Sequence, residues 1–222
     1  MASIIEILTE YSEAFGNGLL ETLKLAAIVW TIGCVLGIGL GALAARYPRA
    51  LGRPSATIAF MLSGIPIMVF LFWLHYPLQV LLNVVIDPFY TAALTLATVN
   101  LFSVAEIVRR SLRDFPNQYL VAAKVCGISK MQSFWSIQFP LVLRDILPAL
   151  LTTQVAMLQA TLFASLISVN EVFRTAQQIN ATIYKPVEIY TALGFLFLAV
   201  CLPLNGAAIW LRNKFTRDLS EK

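Results

Sequence analysis

The chain is poor in charge. Only 13% of its 222 residues are charged, 59% are hydrophobic, and the mean hydropathy is +0.77. That balance excludes an ordinary soluble globular domain and points to a polytopic membrane protein. Histidine occurs once, at His75, without a histidine, cysteine or carboxylate close by in sequence. A polar residue at a membrane interface is the expected role, ahead of a metal ligand or proton relay. Cys34, Cys126 and Cys201 show neither a disulfide framework nor metal-ligand spacing. There is no Gly-Lys dipeptide, so a Walker-type phosphate loop is missing, and no nucleophile–base pair is recognisable. No catalytic residue, metal or cofactor is therefore assigned to this chain. A basic n-region is lacking too: Glu6, Glu10 and Glu13 stand where a signal peptide would carry positive charge. A short amphipathic surface helix over Ile4–Phe15 is the expectation there.

Long apolar runs are what the chain has in abundance. Five meet the length of about 20 residues that a spanning helix needs. They are Leu25–Ala45, Ile58–Ile86, Phe89–Ala105, Ile146–Val169 and Ile189–Leu211, and none contains Lys, Arg, Asp or Glu. The third is short and is expected to run on through Glu106–Leu112. The second holds Pro66 and Pro77 and is expected to be kinked or split. The fold class is thus all-α, an integral membrane protein of five transmembrane helices. It reads as one domain over 1–222: a surface helix to 17, a five-span core over 18–211 and a tail over 212–222.

Net charge is +4, but the basic residues sit at the ends of apolar spans, which argues for membrane orientation and against nucleic acid. Alternate sides are strongly unequal. Arg46, Arg49, Arg53, Arg109, Arg110, Arg113, Lys124, Lys130, Arg144, Arg212, Lys214, Arg217 and Lys222 share one side, thirteen of the sixteen basic residues. The positive-inside rule then predicts an external N-terminus, a cytoplasmic C-terminus and a cytoplasmic loop over 113–145.

That loop is a moderately polar, helix-forming insertion between apolar spans. Within Pro116–Pro140, Ala122-Ala123 is followed after three residues by Gly127, and after nine more by Ile137-Gln138-Phe139-Pro140. Small residues at 122 and 123 permit close approach of a partner, and Gly127 permits a sharp break because it tolerates positive φ. A helix–Gly–helix elbow standing off a membrane suits docking into a groove on another protein. Gly33, Gly37 and Gly41 form a small-xxx-small stripe on the first span, expected to pack within the subunit ahead of forming a dimer contact.

The spacing resembles the coupling loop of ABC importer permeases, which reads roughly Glu-Ala-Ala, three residues, Gly, nine residues, Ile-x-Leu-Pro. The resemblance runs from about Gly18 to Leu211 and is to the polar-amino-acid (histidine, arginine, glutamine) branch. It is carried by Gly18-Leu19-Leu20 with Thr22-Leu23, Gly64-x-Pro66, Ala105-Glu106-Ile107-Val108-Arg109, Ala176-Gln177-Gln178-Ile179 and Pro186-x-Glu188-x-Tyr190. It implies a type I importer permease architecture with Ala122, Ala123, Gly127, Ile128, Ser129 and Pro140 coupling to an ATPase. It also implies a dimer of ABC ATPase subunits that uses ATP and Mg, a second permease subunit, an external solute-binding protein and surrounding membrane lipid.

Departures from the pattern all run toward neutral residues. Val121 replaces the Glu of Glu-Ala-Ala, Phe60 and Ser63 replace a common Glu and Arg, and Gln159-Ala160 replaces Lys-Asp. The expected second permease is therefore a different chain that keeps those charges, in preference to a second copy. Polar groups left within the spans are Asn100, Ser103, Thr153, Gln154, Gln159 and Thr161. The residues assigned to the translocation path are Asn100, Ser103, Gln154, Met157, Gln159 and Thr161, Met157 joining Gln154 and Thr161 on one helical face. A secondary transporter or channel is the competing reading, disfavoured by the absence of intramembrane charge. A structural assembly protein is the third.

Overall fold

The computed structural model describes residues 4–220, and every regular element among them is helical. A short α1 (Ile4–Glu10) turns at Tyr11 into the long α2 (Ser12–Arg46). The surface helix expected over Ile4–Phe15 is therefore seven residues long, and Ser12–Phe15 belong to the first spanning helix.

The second expected span is not one rod. After a π-helical corner at Pro48–Gly52 come α3 (Arg53–Gly64), α4 (Ile67–His75) and α5 (Pro77–Leu82), with a 100° bend between the Pro48–Gly64 and Ile67–Leu82 halves. The bend falls at Ile65-Pro66. Ile65 is extended (φ −97°, ψ 125°), as the residue before a proline prefers, and Pro66 has no N–H to continue the ladder. Pro77 breaks nothing comparable, because it opens α5 at a position where a missing N–H costs little. The span also ends earlier than expected: Asn83 is left-handed (φ 50°) and residues 84–86 are not helical. Buried Gln79 pins this end. Its Oε1 accepts from Ile86 N–H (2.8 Å), its Nε2 donates to Thr91 Oγ1 (3.1 Å), and His75 Nδ1 lies 3.3 Å from that same nitrogen.

The third span, α6 (Pro88–Arg113), extends through Glu106–Leu112 as the sequence indicated. The connection is α7 (Asn117–Val125), α8 (Lys130–Ser133) and a π-helical turn at Phe134–Gln138. The fourth span starts seven residues before its expected boundary. α9 (Phe139–Ala160) takes in Arg144 and Asp145, then tightens into a 3-10 segment at Thr161–Ile167. Helical hydrogen bonding does not stop where hydropathy does, and an exposed charged turn is tolerated at a helix end. α10 (Val172–Ile183) and α11 (Pro186–Ser220) complete the chain. Among the described residues four helices are long and apolar enough to cross a membrane, or five spans when the bent pair is counted as one.

The core is organised around α6. A Cβ added to Gly33 would collide with the Asn100 side-chain amide; at Gly37 it would meet Leu101 O and Val104 Cβ at 2.7 Å; at Gly41, Ala105 O at 2.6 Å. The glycine stripe thus serves packing inside the subunit, bringing two backbones together where no larger residue fits. Leu25, Val29, Leu71, Leu96, Val99, Met157 and Ile167 fill the space around this contact.

At the end opposite the α7–α8 connection, α10 lies against the start of α2. Gly18 faces Thr175 and Val172, and Val172 N–H donates to Thr22 Oγ1 at 3.1 Å. Glu171, fully buried, caps α10 by accepting from Phe173 N–H (2.8 Å) and Arg174 N–H (2.7 Å). Burial pushes its pKa up to about 7 from 4.5, although both amide bonds pull the other way. The folded value is the raised one, so this group's stabilisation is complete below the ordinary carboxylate range and is lost as pH rises through about 7. Wild-type thermal stability is expected to fall between the two values, from 4.5 to about 7, and to level off above. Glu171→Gln should be less stable at pH 5, by about 1 kcal/mol for the N–H left facing an amide NH2. Its melting temperature should lack the titration step. Parallel pH profiles for the two proteins would refute this.

Candidate functional site: the elbow and the groove behind it

The expected elbow is built from two capped helices. α7 ends with Ile128 N–H bonded to Ala123 O (3.0 Å) and Gly127 N–H to Lys124 O (3.1 Å), with Gly127 at φ +74°. This is the Schellman arrangement, and it calls for glycine through conformation. Space is not the reason, because nothing lies within 4 Å of a Cβ at that position. Ser129 then caps α8, its Oγ accepting from Gln132 N–H at 3.2 Å.

The elbow presents an apolar tip. Ala123 is turned into the molecule, Ile128 is half-buried, and Ala122 faces out beside Val121, Val125 and Met131, of which Val125 is 82% exposed. Behind the tip, the rings of Phe134, Trp135 and Phe139 meet edge-on or tilted with centroids 5.3–6.3 Å apart, and Pro140, which lacks an N–H, lies just past the π-helical turn. Lys130–Ile167 forms one continuous helical span. A push on α8 therefore reaches the middle of the fourth span without crossing a loop.

A polar contact ties this rod to α6, whose own end carries an ion-pair cluster. Ser111 Oγ donates to Asp145 Oδ2 at 2.6 Å. One turn back, Glu106 accepts two bonds from Arg109 (2.8 and 2.7 Å) and a further one from Arg110. Between α9 and α11 runs a groove of about 1730 Å³, with Ser103 of α6 in its lining. At the elbow end it is bordered by Tyr119, Arg144, Asp145 and Arg212, the Arg144 guanidinium lying 5.9 Å over the Phe215 ring. Further along it is lined by Thr152, Thr153, Asn205 and Met157.

The six path candidates separate in space. Ser103 and Met157 line the groove. Asn100 and Gln154 are buried and face each other: Asn100 Nδ2 donates to Gln154 Oε1 (2.9 Å) and to Val29 O (3.0 Å), and Gln154 Nε2 donates to Asn100 Oδ1 (3.2 Å). This closed amide pair joins three helices in a setting where an unpaired amide is costly. Thr161 is buried and donates to Leu158 O (2.7 Å), while Gln159 is exposed. Sequence reasoning marked Thr153 as a polar group of the fourth span but passed over Arg144, Thr152, Asn205 and Arg212. A signal was available for part of them: Ala149, Thr152, Thr153 and Ala156 recur at three- and four-residue spacing, a small, polar face on an otherwise apolar helix.

Residues 37–217 match the family described as the binding-protein-dependent transport system inner membrane component. The chain belongs to this family. This permease is also 27% identical over 219 residues to the octopine transport system permease protein OccM of Rhizobium radiobacter, covering 91% of the chain and 89% of the relative. With the histidine/lysine/arginine/ornithine transport system permease protein HisQ of Salmonella typhimurium it shares 25% over 217 residues, 93% and 95% of the two chains. With the glutamine permease GlnP of Escherichia coli it shares 26% over 193 residues, 84% and 88%. Its fold matches a crystal structure of an amino acid ABC transporter with a TM-score of 0.82 at 22% identity, covering 93% of the permease and 96% of that chain. It also matches the MetNI methionine transporter in inward-facing conformations, with a TM-score of 0.74 at 18% identity, covering 93% and 98%. The type I permease architecture expected from the sequence is the architecture observed.

Proposed function

We propose that this permease forms one wall of an ATP-driven import path for a polar amino acid or an amino-acid derivative. The elbow is its coupling element, and the α9–α11 groove is the cytoplasmic half of the path. The continuity of Lys130–Ile167 carries this reading, because one rod bears both the exposed tip and the groove wall. ATP and Mg belong to a separate ATPase dimer docking at Ala122, Gly127, Ser129 and their apolar neighbours; an external binding protein delivers solute at the α10 end. The elbow end is cytoplasmic by its share of positive charge. Nucleotide closes the ATPase and favours an outward-open arrangement, to the extent that its affinity for that state is greater. The names of the relatives, covering opines, histidine, basic amino acids and glutamine, support the solute class.

Neutral residues at 60, 63, 121, 159 and 160 support a heteromeric pair. Phe60, Ser63 and Gln159 are exposed, where charges could have been carried. A solute's charged groups need compensation inside the membrane, and a different second permease supplies it. Full-rate transport by this chain with the ATPase and binding protein alone would overturn the heteromer.

The path itself is tested by single cysteines at Thr153 and, as a lipid-facing control, at exposed Val35, in a protein lacking Cys34, Cys126 and Cys201. A membrane-impermeant thiol reagent applied from the elbow side should label position 153 at least tenfold faster than position 35. Trapping the ATPase in its ATP-bound form should slow labelling at 153 alone. Equal rates at both positions, or no response to nucleotide, would remove the groove from the path.

A further inference from the structure

The corner between α2 and α3 carries Arg46, Arg49 and Arg53, all exposed, on a short π-helical turn. It is a firm platform. Leu51 N–H and Gly52 N–H both bond to Tyr47 O (2.9 and 3.1 Å), prolines stand at 48 and 54, and a Cβ on Gly52 would meet Ala44 O at 2.7 Å. No carboxylate occurs anywhere from Thr22 to Ile86. The neighbouring helix end offers none to spare. Continuing the Gly33–Asn100, Gly37–Val104 and Gly41–Val108 pairing by one turn places Arg46 level with Arg113. There Glu106 is already bonded to Arg109 and Arg110, and Asp114 to Arg113 at 3.0 Å.

Residue type adds to residue count. Every basic residue at this corner and on the end of α6 is arginine, and lysine appears only at the elbow and the tail on this side of the protein. Orientation by positive charge is indifferent to that choice. A phosphate is not, because the planar guanidinium fork binds two oxygens at once where an ammonium offers a point charge. Tyr47, 53% exposed with the Arg46 guanidinium 6.0 Å over its ring, marks the level of the headgroups.

We propose that the α2–α3 corner is a binding site for the phosphate of an anionic phospholipid in the leaflet on the elbow side, held by Arg46, Arg49 and Arg53. The proposal takes from the functional reading only that the elbow end is cytoplasmic. Bound lipid would fix the depth of α2 and α3 against the leaflet while the α8–α9 rod moves.

The test uses the reconstituted complex in bilayer discs of equal phosphatidylglycerol and phosphatidylcholine, with retained lipid measured after brief detergent extraction. Wild type should retain phosphatidylglycerol severalfold over phosphatidylcholine. The triple variant Arg46→Gln, Arg49→Gln, Arg53→Gln should retain the two equally, and the triple Lys variant should fall between. Lys124→Gln with Lys130→Gln removes two elbow charges and should leave the preference intact. Labelling of exposed Cys126 from the elbow side reports orientation independently, and Arg49→Gln alone, which keeps most of the positive charge, should halve the enrichment without inverting the protein. Unchanged enrichment in correctly oriented triple and single variants would overturn the site. Equal loss in the elbow variant would too, by showing general charge attraction. Displacement of phosphatidylglycerol by millimolar inorganic phosphate would assign the corner to a soluble anion and overturn the lipid.

Discussion

Gly37→Val is expected to prevent this permease from reaching a stable fold. The first atom of any side chain there would stand 2.7 Å from Leu101 O and from Val104 Cβ, inside contact distance of a backbone atom and a β-carbon. Neither can rotate away. α2 and α6 would have to separate along their whole shared length, and the Asn100 Nδ2 bond to Val29 O (3.0 Å) would lengthen with them. Overpacking a tight core costs about 1–3 kcal/mol, and here the lost amide bond and the loosened Leu25–Val29–Leu96 packing add to it. A total above about 3 kcal/mol is a large share of a typical folding free energy. The control is Gly39→Ala, two residues away on the same helix, where nothing lies within 4 Å of the new Cβ. Gly39→Ala should purify and melt like wild type or slightly above it. Gly37→Val should yield little monodisperse protein after extraction. A Gly37→Val protein melting within a degree of wild type would show that the helices have slack which the distances deny.

The glycine contacts show what the sequence could and could not say. A four-residue glycine period is visible in one chain because helix geometry is local, and it correctly marked a close helix contact. The partner was out of reach: Asn100 lies 67 positions further on, and its pairing with Gln154 spans 54 more. Both amides were visible as polar groups needing partners, but no local rule says they need each other. The bend in the second span was half legible. Two prolines marked two possible breaks, and only their position relative to the helix starts separates Pro66, which interrupts a span, from Pro77, which opens a short helix. Glu171 was illegible as a cap, since glutamate is not among the favoured N-cap residues and its complete burial is a matter of tertiary packing. The groove assembles residues of α6, α7, α9 and α11. No spacing within one helix could have joined Thr153 to Asn205 and Arg212. By contrast the elbow was legible almost residue by residue, because caps and turns are set by neighbours in sequence.

Gly127→Val should abolish coupling while sparing the fold. Gly127 holds φ +74°, a region that β-branched residues avoid, and the Schellman bonds of Ile128 and Gly127 to Ala123 and Lys124 depend on that angle. A valine must either accept strain of order 1–3 kcal/mol or unwind the turn. Unwinding is the course open to it, since Gly127, Ser129 and Lys130 are exposed and nothing lies within 4 Å of a Cβ at 127. The damage therefore stays at the tip. Membrane insertion, yield and melting temperature should remain near those of wild type, in contrast to Gly37→Val. The tip's direction relative to α8 would change, and with it the fit of Val121, Val125 and Met131 to the ATPase. Solute-stimulated ATP hydrolysis and uptake should then fall together, by tenfold or more, because both require the same docked geometry. Gly127→Asn separates conformation from side-chain bulk: asparagine visits the left-handed region several times more readily than most residues, so it should restore a substantial part of both activities. If Gly127→Val and Gly127→Asn are equally impaired, bulk at the interface and not the backbone angle is what matters. If Gly127→Val couples normally in a well-inserted protein, the elbow is not the transmission element.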